Sequence, residues 1–382
     1  MNERIKVFFF IPSLQQGGAE RQILALMSRL PARFEPVLGV WHDQEVHFPE
    51  LLPPGQPRHV LGTNRMTRAS FERLVEILRA ERPAIVHCFL NRANFWGRLA
   101  ALRAGVPVVI SSNRARMMEL RYLPWERWLS DRCQLIITNS VGVRDELVNL
   151  AGVAPERIRI IHNVLDLDQF RPPTAAERAA ARALHGFSED QRMVVLPGRV
   201  SVQKHQVGLL LALGRLARSG RLPPDLVVSL PGRRGRTVAG RLVDWLAGRP
   251  RLCGVVRMPG LESDMRSLYW SADLLVLPSL WEGLPNVALE ACASGLPALL
   301  SHAANLDGIV APGQTGWEVP TGDHVALAEG LAEALAQPRA RWAEMGRRGR
   351  ERIEILFQPS RVIAETVATY DQLLAERLPC VA

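Results

Sequence analysis

The chain reads as an α/β protein built from two doubly wound domains, each a parallel sheet clothed by helices, facing each other across a cleft. Three observations predict this. Its 382 residues exceed one ordinary domain and suit about two. Short apolar runs alternate with amphipathic stretches from end to end. The runs are continuously apolar rather than alternating, as expected of parallel strands covered on both faces.

The first-half strands are IKVFFFI (5–11), PVLGVW (36–41), IVHCFL (85–90), VPVVISS (106–112), LIITNS (135–140) and IRIIHN (158–163). Helical patterns lie between them at 19–30, 70–81, 91–104 and 141–150. The second half repeats the scheme, with strands at 193–197, 226–230, 255–258, 274–279, 297–301 and 316–319. Its helices fall at 204–218, 264–270, 286–294, 323–336 and 339–356. The boundary lies in LDLDQFRPPTAAERAAARA (165–183), where Pro172-Pro173 can neither continue a helix nor enter a central strand. An alanine-rich helix then leads into the second sheet. The expected domains are Rossmann-like, 1–170 and 171–359, with a last helix (about 360–382) that begins after Pro359 and packs back on the first. In such sheets ligands belong at the carboxyl ends of the strands.

Composition narrows the class. With 47% hydrophobic and 22% charged residues, disorder is excluded as the explanation. No apolar stretch approaches the roughly 18 residues of a membrane span, and the run VFFFI is too short for a signal peptide. A cytoplasmic location is expected, with peripheral attachment to the inner membrane face as an extension of it. Cys88, Cys133, Cys253, Cys292 and Cys380 show no zinc or redox spacing and read as reduced core residues. The net charge is +9, and residues 58–132 carry 14 arginines against 6 acidic residues. A local basic surface suits an anionic partner such as lipid headgroups or a phosphorylated glycan; solubility with arginine-biased coding is the plainer alternative.

Three motifs carry chemistry. PSLWEGLPNVALEACASGLP (278–297) follows a buried strand, so Glu282 stands in a loop at a carboxyl edge with Gly283 permitting a tight turn. Asn286 is expected to cap a short helix that carries Glu290 on the same face. Two carboxylates at this spacing can accept hydrogen bonds from two ends of a polyhydroxylated ligand. The backbone N–H groups of Leu284, Pro285's neighbours and Val287 at the helix start favour an anion. In PGRVSVQKHQ (197–206), Arg199 and Lys204 flank the next helix start and suit a diphosphate. Only Lys6 and Lys204 are lysines among 47 basic residues, so at 204 arginine is a poor substitute. In IPSLQQGGAERQI (11–23), Gly17 and Gly18 let backbone approach a phosphate or sugar, without the G-x-G-x-x-G of a dinucleotide site.

GGAER (17–21), GR (198–199) with Lys204, and EGLPNVALE (282–290) together resemble a retaining glycosyltransferase of family 4 (GT4, glycosyl transferases group 1) with GT-B architecture. IIHNVLDLDQF (160–170) resembles that family's linker, and TGWEVPTGD (315–323) its late C-terminal segment. The resemblance implies transfer of a hexose-type sugar from a nucleotide-diphosphate sugar, UDP favoured, to a glycan or lipid-linked acceptor in surface polysaccharide or glycolipid synthesis. It implies that Arg199 and Lys204 hold the diphosphate, Glu290 the ribose and Glu282 the hexose. The backbone of Gly283, Leu284, Pro285 and Asn286 would line the sugar and phosphate, Gly17 and Gly18 would border the phosphate and acceptor, and Arg257 or Met258 would lie near the base. His87 would contact the transferred sugar, although the family's H-x-H reads HCF here, and a buried structural histidine is the alternative. No metal or cofactor is expected; Asp166 and Asp168 fit the linker rather than an Asp-x-Asp metal motif. A sugar-nucleotide epimerase of the same fold and a non-catalytic sugar-nucleotide-binding protein are the competing readings. A further stretch, SNRARMMELRYLPWERWLSDR (112–132), mixes arginines with Trp125, Trp128 and Tyr122, as a segment lying on an anionic membrane would. Its alternative is a helix with tryptophans in the core and arginines in solvent. Nucleic acid is not an expected partner, since no recognition module accompanies the charge.

Overall fold

The structure is a computed structural model describing residues 4–14, 18–42, 51–52, 55–63, 65–116 and 122–377. It divides into two compact units. One is the chain up to Val164 together with the terminal helix Pro359–Arg377; the other is Leu165–Gln358.

The first unit runs β1 (Ile5–Ile11), α1 (Gly18–Met27), β2 (Phe34–Val40), β3 (Arg58–Val60), α2 (Arg68–Glu81), β4 (Ile85–Phe89), α3 (Asn91–Ala104), β5 (Val108–Asn113), α4 (Leu123–Ser130), β6 (Leu135–Thr138), α5 (Val141–Ala151) and β7 (Ile158–Ile160). The strands form one parallel sheet in the order β3-β2-β1-β4-β5-β6-β7. Along β1 the side chains alternate between two cores, Val7, Phe9 and Ile11 to one and Phe8 and Phe10 to the other, so both faces are covered. The terminal helix packs into the first of these cores through Tyr370, Leu373 and Leu374. Its surface is tied down by Arg159, which donates to Thr369 Oγ1 at 2.8 Å, and by the Arg33–Asp371 pair at 2.6 Å.

The second unit runs α6 (Ala175–Leu184), β8 (Arg192–Val195), α7 (Gln206–Arg218), β9 (Leu226–Ser229), α8 (Val238–Ala247), β10 (Val256–Arg257), α9 (Met265–Ser271), β11 (Leu274–Leu277), α10 (Asn286–Ala293), β12 (Ala298–Ser301), β13 (Gly316–Val319), α11 (His324–Leu335) and α12 (Arg339–Leu356). Its parallel order is β10-β9-β8-β11-β12-β13. One face packs on α7, α8 and α11, the other on α9 and α10, and α12 contributes to both, through Trp342 and Met345 to the first and Ile353 to the second. Helix α6 carries a Thr174–Glu177 capping box and locks to the sheet through Arg178 and the fully buried Arg182, both paired with Asp273.

In both sheets the winding reverses beside the first strand, between β1 and β4 and between β8 and β11. The loops leaving such a pair diverge and open a crevice at the carboxyl edge. The expected strands are all present, with ends that differ from the expected ones by no more than three residues. Strand β3 and helix α8 were not anticipated. The cysteines need one correction: Cys88, Cys133 and Cys292 are buried and unbridged, whereas Cys253 is exposed; Cys380 lies outside the described residues. No described helix is long and apolar enough to cross a membrane.

Candidate functional site

At the β8/β11 reversal the two diverging loops are sewn together. Gln203 O accepts from the N–H of Leu280 at 2.8 Å, and Gln203 Nε2 donates to the Trp281 carbonyl at 3.1 Å. This brings Lys204 and Glu282 into contact: Lys204 Nζ donates to Glu282 Oε1 at 2.7 Å, and Ser279 Oγ donates to the same oxygen at 2.7 Å. Glu282 is only 6% exposed, so its charge is taken out of bulk water and is balanced by the lysine. The lysine stem lies over Gly198; a Cβ there would stand 3.2 Å from Lys204 Cε. Gln206 fixes the loop between them, donating to Arg199 O at 3.1 Å and accepting from the Ser201 N–H at 3.3 Å. Arg199 itself is exposed, and its guanidinium has no hydrogen-bond or ion-pair partner among the described residues.

Helix α10 starts beside Glu282. Asn286 is its first residue rather than its cap: Pro285 holds the capping position and offers no side-chain bond, a correction to the expected Asn286 cap. Proline's fixed φ starts the helix without a polar cap. The side chain of Leu284 is buried in the core, so only its backbone can face a ligand. Gly283, half-buried, follows Glu282 directly. One turn on, Glu290 is 7% exposed and accepts from the hydroxyl of Tyr269 at 3.0 Å. Met258 packs half-buried against the α7/α8 core. Arg257 donates to the Gly186 carbonyl at 2.9 Å and stacks over Phe187 at 4.8 Å. Asp166 Oδ1 accepts from the N–H groups of Asp168 and Gln169 at 3.2 and 2.9 Å, so that aspartate shapes the turn after Leu165. Among the described residues no three His, Cys, Asp or Glu side chains are gathered as ligands of a metal ion.

Two family models match this chain: Glycosyltransferase Family 4 over residues 16–169 and Glycosyl transferases group 1 over residues 177–352. The chain belongs to the GT4-type glycosyltransferases. This glycosyltransferase is 25% identical over 342 residues to the putative glycosyltransferase EpsD of Bacillus subtilis, covering 86% of the chain and 84% of the relative. It is 30% identical over 286 residues to the D-inositol 3-phosphate glycosyltransferase of Saccharomonospora viridis, covering 69% and 65%. Its fold is GT-B. The crystal structure of Anabaena HepE in complex with UDP and glucose superposes with a TM-score of 0.83 at 18% identity, over 97% of this chain and 100% of the other. WaaG, a glycosyltransferase involved in lipopolysaccharide biosynthesis, superposes with a TM-score of 0.69 at 18% identity, over 94% and 98%. These relatives are transferases, which overturns the epimerase alternative.

In the first unit of this glycosyltransferase, Gly18 opens α1 just after β1, at the β1/β4 reversal; Gly17 lies outside the described residues. His87 takes the structural place rather than the sugar-contacting one. It is 1% exposed, with Nδ1 2.7 Å from the Tyr370 hydroxyl, Nε2 2.8 Å from Ser112 Oγ, and its ring 4.4 Å from that of Phe89. Both ring nitrogens are engaged inside the fold, so neither is offered to a ligand. Burial, and secondarily the Arg114 charge, hold its pKa well below the usual histidine value. The sign follows. Below about pH 6.5 the unfolded chain takes up a proton that folded His87 refuses, so stability present above that pH is lost on acidification, by about 1.4 kcal/mol per pH unit. Burial lowers the His205 pKa as well, in the same direction. Urea unfolding at pH 7.5, 6.5 and 5.5 is expected to show this slope, and His87→Gln to reduce it.

Sequence reasoning missed Ser279, Gln203 and Tyr269. Only Tyr269 carried a signal, a buried tyrosine in an apolar helix whose hydroxyl needs a partner. Also unforeseen are two non-glycine residues with positive φ at the two sheet reversals, Leu90 (φ 71°) after β4 and His205 (φ 53°) before α7. Each costs of order 1–3 kcal/mol, strain of the kind that concentrates where ligands bind.

Proposed function

We propose that this glycosyltransferase moves a hexose-type sugar, with retention of configuration, from a nucleotide-diphosphate sugar to a glycan or lipid-linked acceptor of a cell-surface glycan. UDP is the favoured nucleotide. The observation that carries the reading is the Lys204–Glu282 pair at the β8/β11 reversal, with unpaired Arg199 on one side and the start of α10 on the other. The pair is a preformed exchange site. An arriving diphosphate draws Lys204 from Glu282, and the freed carboxylate accepts from sugar hydroxyls. As the sugar–phosphate bond breaks, the leaving diphosphate gains charge that Lys204, Arg199 and the α10 N–H groups stabilise. Glu290 suits the ribose hydroxyls one helical turn away. The acceptor oxygen attacks the face from which the diphosphate departs, and a departing phosphate oxygen takes its proton. No metal enters this scheme. HepE, of the same fold, has been solved with UDP and glucose, which agrees with the choice of donor class.

The test is release of nucleoside diphosphate from UDP-, GDP- and ADP-sugars. One donor should be hydrolysed slowly alone and consumed faster with acceptor, at a rate unchanged by EDTA. No turnover and no binding of any of the three overturns the reading.

The acceptor side is proposed to work at an anionic membrane surface. In α4 the tryptophans point outward: Trp125 is 51% and Trp128 39% exposed, and Arg132 lies 4.0 Å over the Trp128 ring. The inward face holds Leu129 and a buried ion pair of Glu126 with Arg98 at 2.5 Å. This reverses the alternative in which the tryptophans fill the core; residues 117–121 lie outside the described residues. Two interfacial aromatics flanked by arginine favour headgroups over water. The double variant Trp125→Ala/Trp128→Ala is expected to lose about tenfold in cosedimentation with phosphatidylglycerol vesicles. Equal binding of variant and parent removes the membrane proposal.

A further inference from the structure

We infer that Arg233 is a second phosphate-gripping arginine, standing side by side with Arg199 at the carboxyl edge of the second sheet, and that its ligand is the diphosphate of the nucleotide donor. The inference rests on the donor-site reading above.

The placement follows from strand register. Strands β8 and β9 pair Arg192 with Leu226 and Val195 with Ser229. The ladder does not stop where the strands end. The N–H groups of Leu196, Gly198 and Val200 donate to the carbonyls of Ser229, Pro231 and Arg233 at 3.0, 2.9 and 3.0 Å. The offset is unchanged along this extension, so Gly198 stands in register with Gly232, and Arg199 with Arg233. The two chains bend together at the glycine pair, where φ is 139° at Gly198 and 150° at Gly232. They approach so closely that a Cβ on Gly232 would meet Gly198 O at 2.1 Å. Both glycines are therefore required, and both chains leave the sheet with an arginine next in line.

Two arginines in register sit about one strand spacing apart, roughly 4.8 Å between backbones. Like charges so placed repel. Here both side chains are exposed, and neither guanidinium has a hydrogen-bond or ion-pair partner among the described residues. The neighbouring Arg234 differs, since it pairs with Asp244 at 3.2 Å. Lys204 adds a third cation, its stem packed over the same Gly198. Glu282 answers Lys204 alone, which leaves the arginine pair without counter-charge. A ligand with two linked anionic groups fits this arrangement. Each planar fork can take two oxygens of one phosphoryl group, and a diphosphate presents two such groups in succession. A nucleoside without phosphate gains nothing from it.

Titration calorimetry separates the outcomes. UDP, GDP and ADP are titrated into the unmodified protein, and the tightest binder, with its parent nucleoside, into the variants. Arg233→Ala is expected to weaken the nucleoside diphosphate about tenfold and to leave the nucleoside unchanged. Arg234→Ala, in the same loop, is expected to leave both unchanged. If Arg233→Ala binds the diphosphate within twofold of the parent, or Arg234→Ala loses as much, the assignment of Arg233 is wrong while the donor-site reading stands. If none of the three binds the unmodified protein, the donor-site reading itself falls, and this inference with it.

Discussion

Lys204→Arg is expected to cut sugar transfer by about two orders of magnitude while the protein unfolds at an unchanged temperature. The charge survives, so Glu282 keeps a cationic neighbour and the fold loses little. The shape does not survive. The lysine stem runs over Gly198 with only 3.2 Å between its Cε and the position a Cβ would take. Its ammonium then meets Glu282 Oε1 at 2.7 Å. A planar guanidinium is wider than that slot, and it holds a carboxylate through two parallel bonds. It would therefore stay on Glu282 where an ammonium exchanges to phosphate. Lys204→Ala goes further. Among the described residues it leaves a buried carboxylate with Ser279 and the weak 3.4 Å contact from Gln203 for support. Stability should fall by about 1–3 kcal/mol, and transfer by 10²–10³ at least. The informative comparison is between the two variants. Equal activity of Lys204→Arg and the parent, with the same melting temperature, would show that position 204 needs only a positive charge.

The scarcity of lysine drew attention to position 204, but scarcity alone does not separate function from structure. Lys6, the other lysine, also pairs with a half-buried glutamate, Glu81 at 2.8 Å, which His59 contacts too. What separates them is topology. Lys204 stands where the sheet order reverses, whereas Lys6 lies inside β1 near its amino end. The buried strands were legible because a strand covered on both faces must be apolar throughout. Strand β3 was not, because Arg58, His59 and Val60 form a short edge element with no such run. The residues of the proposed donor site, Arg199, Lys204, Glu282 and Glu290, stood out by residue type and by their places in loops or at a helix start after a strand. Their contacts did not. Lys204 meets Glu282 across 78 positions only because β8 and β11 are neighbours. Arg233 stands in register with Arg199 only because the backbone ladder carries the β8–β9 register past both strands. Sequence spacing reports neither, since strand order and register are set by packing across the whole sheet.

The same dependence on packing makes Gly346→Ala a strongly damaging change for a single methyl group. Gly346 lies in α12 against the turn that ends α10, and a Cβ there would stand 1.8 Å from the carbonyl oxygen of Gly295. The obstacle is backbone, so no side-chain rotation relieves it. Gly295 has φ 83° and itself abuts Pro172, 3.3 Å from where its own Cβ would be, so the turn has little room to retreat. Relief requires α12 to move off α10 by more than an ångström, opening the core around Ala291, Ala293 and Ile353. Overpacking of this kind costs about 3 kcal/mol. For a unit of this size that lowers the melting temperature by roughly 6–12 °C. The effect should also reach the site, because α10 carries Glu290 and begins at Asn286. Displacing it pulls Glu290 from the Tyr269 hydroxyl, now at 3.0 Å, and shifts the helix start relative to Lys204. Calorimetry on Gly346→Ala should therefore show an early transition of the second unit, with nucleotide affinity lowered well below that temperature. Gly349→Ala is the control: it lies one turn along the same helix, and its Cβ would meet Thr315 Cβ at an ordinary 3.8 Å. If both alanines melt alike, the close approach of α12 to Gly295 is not what holds α10 in place.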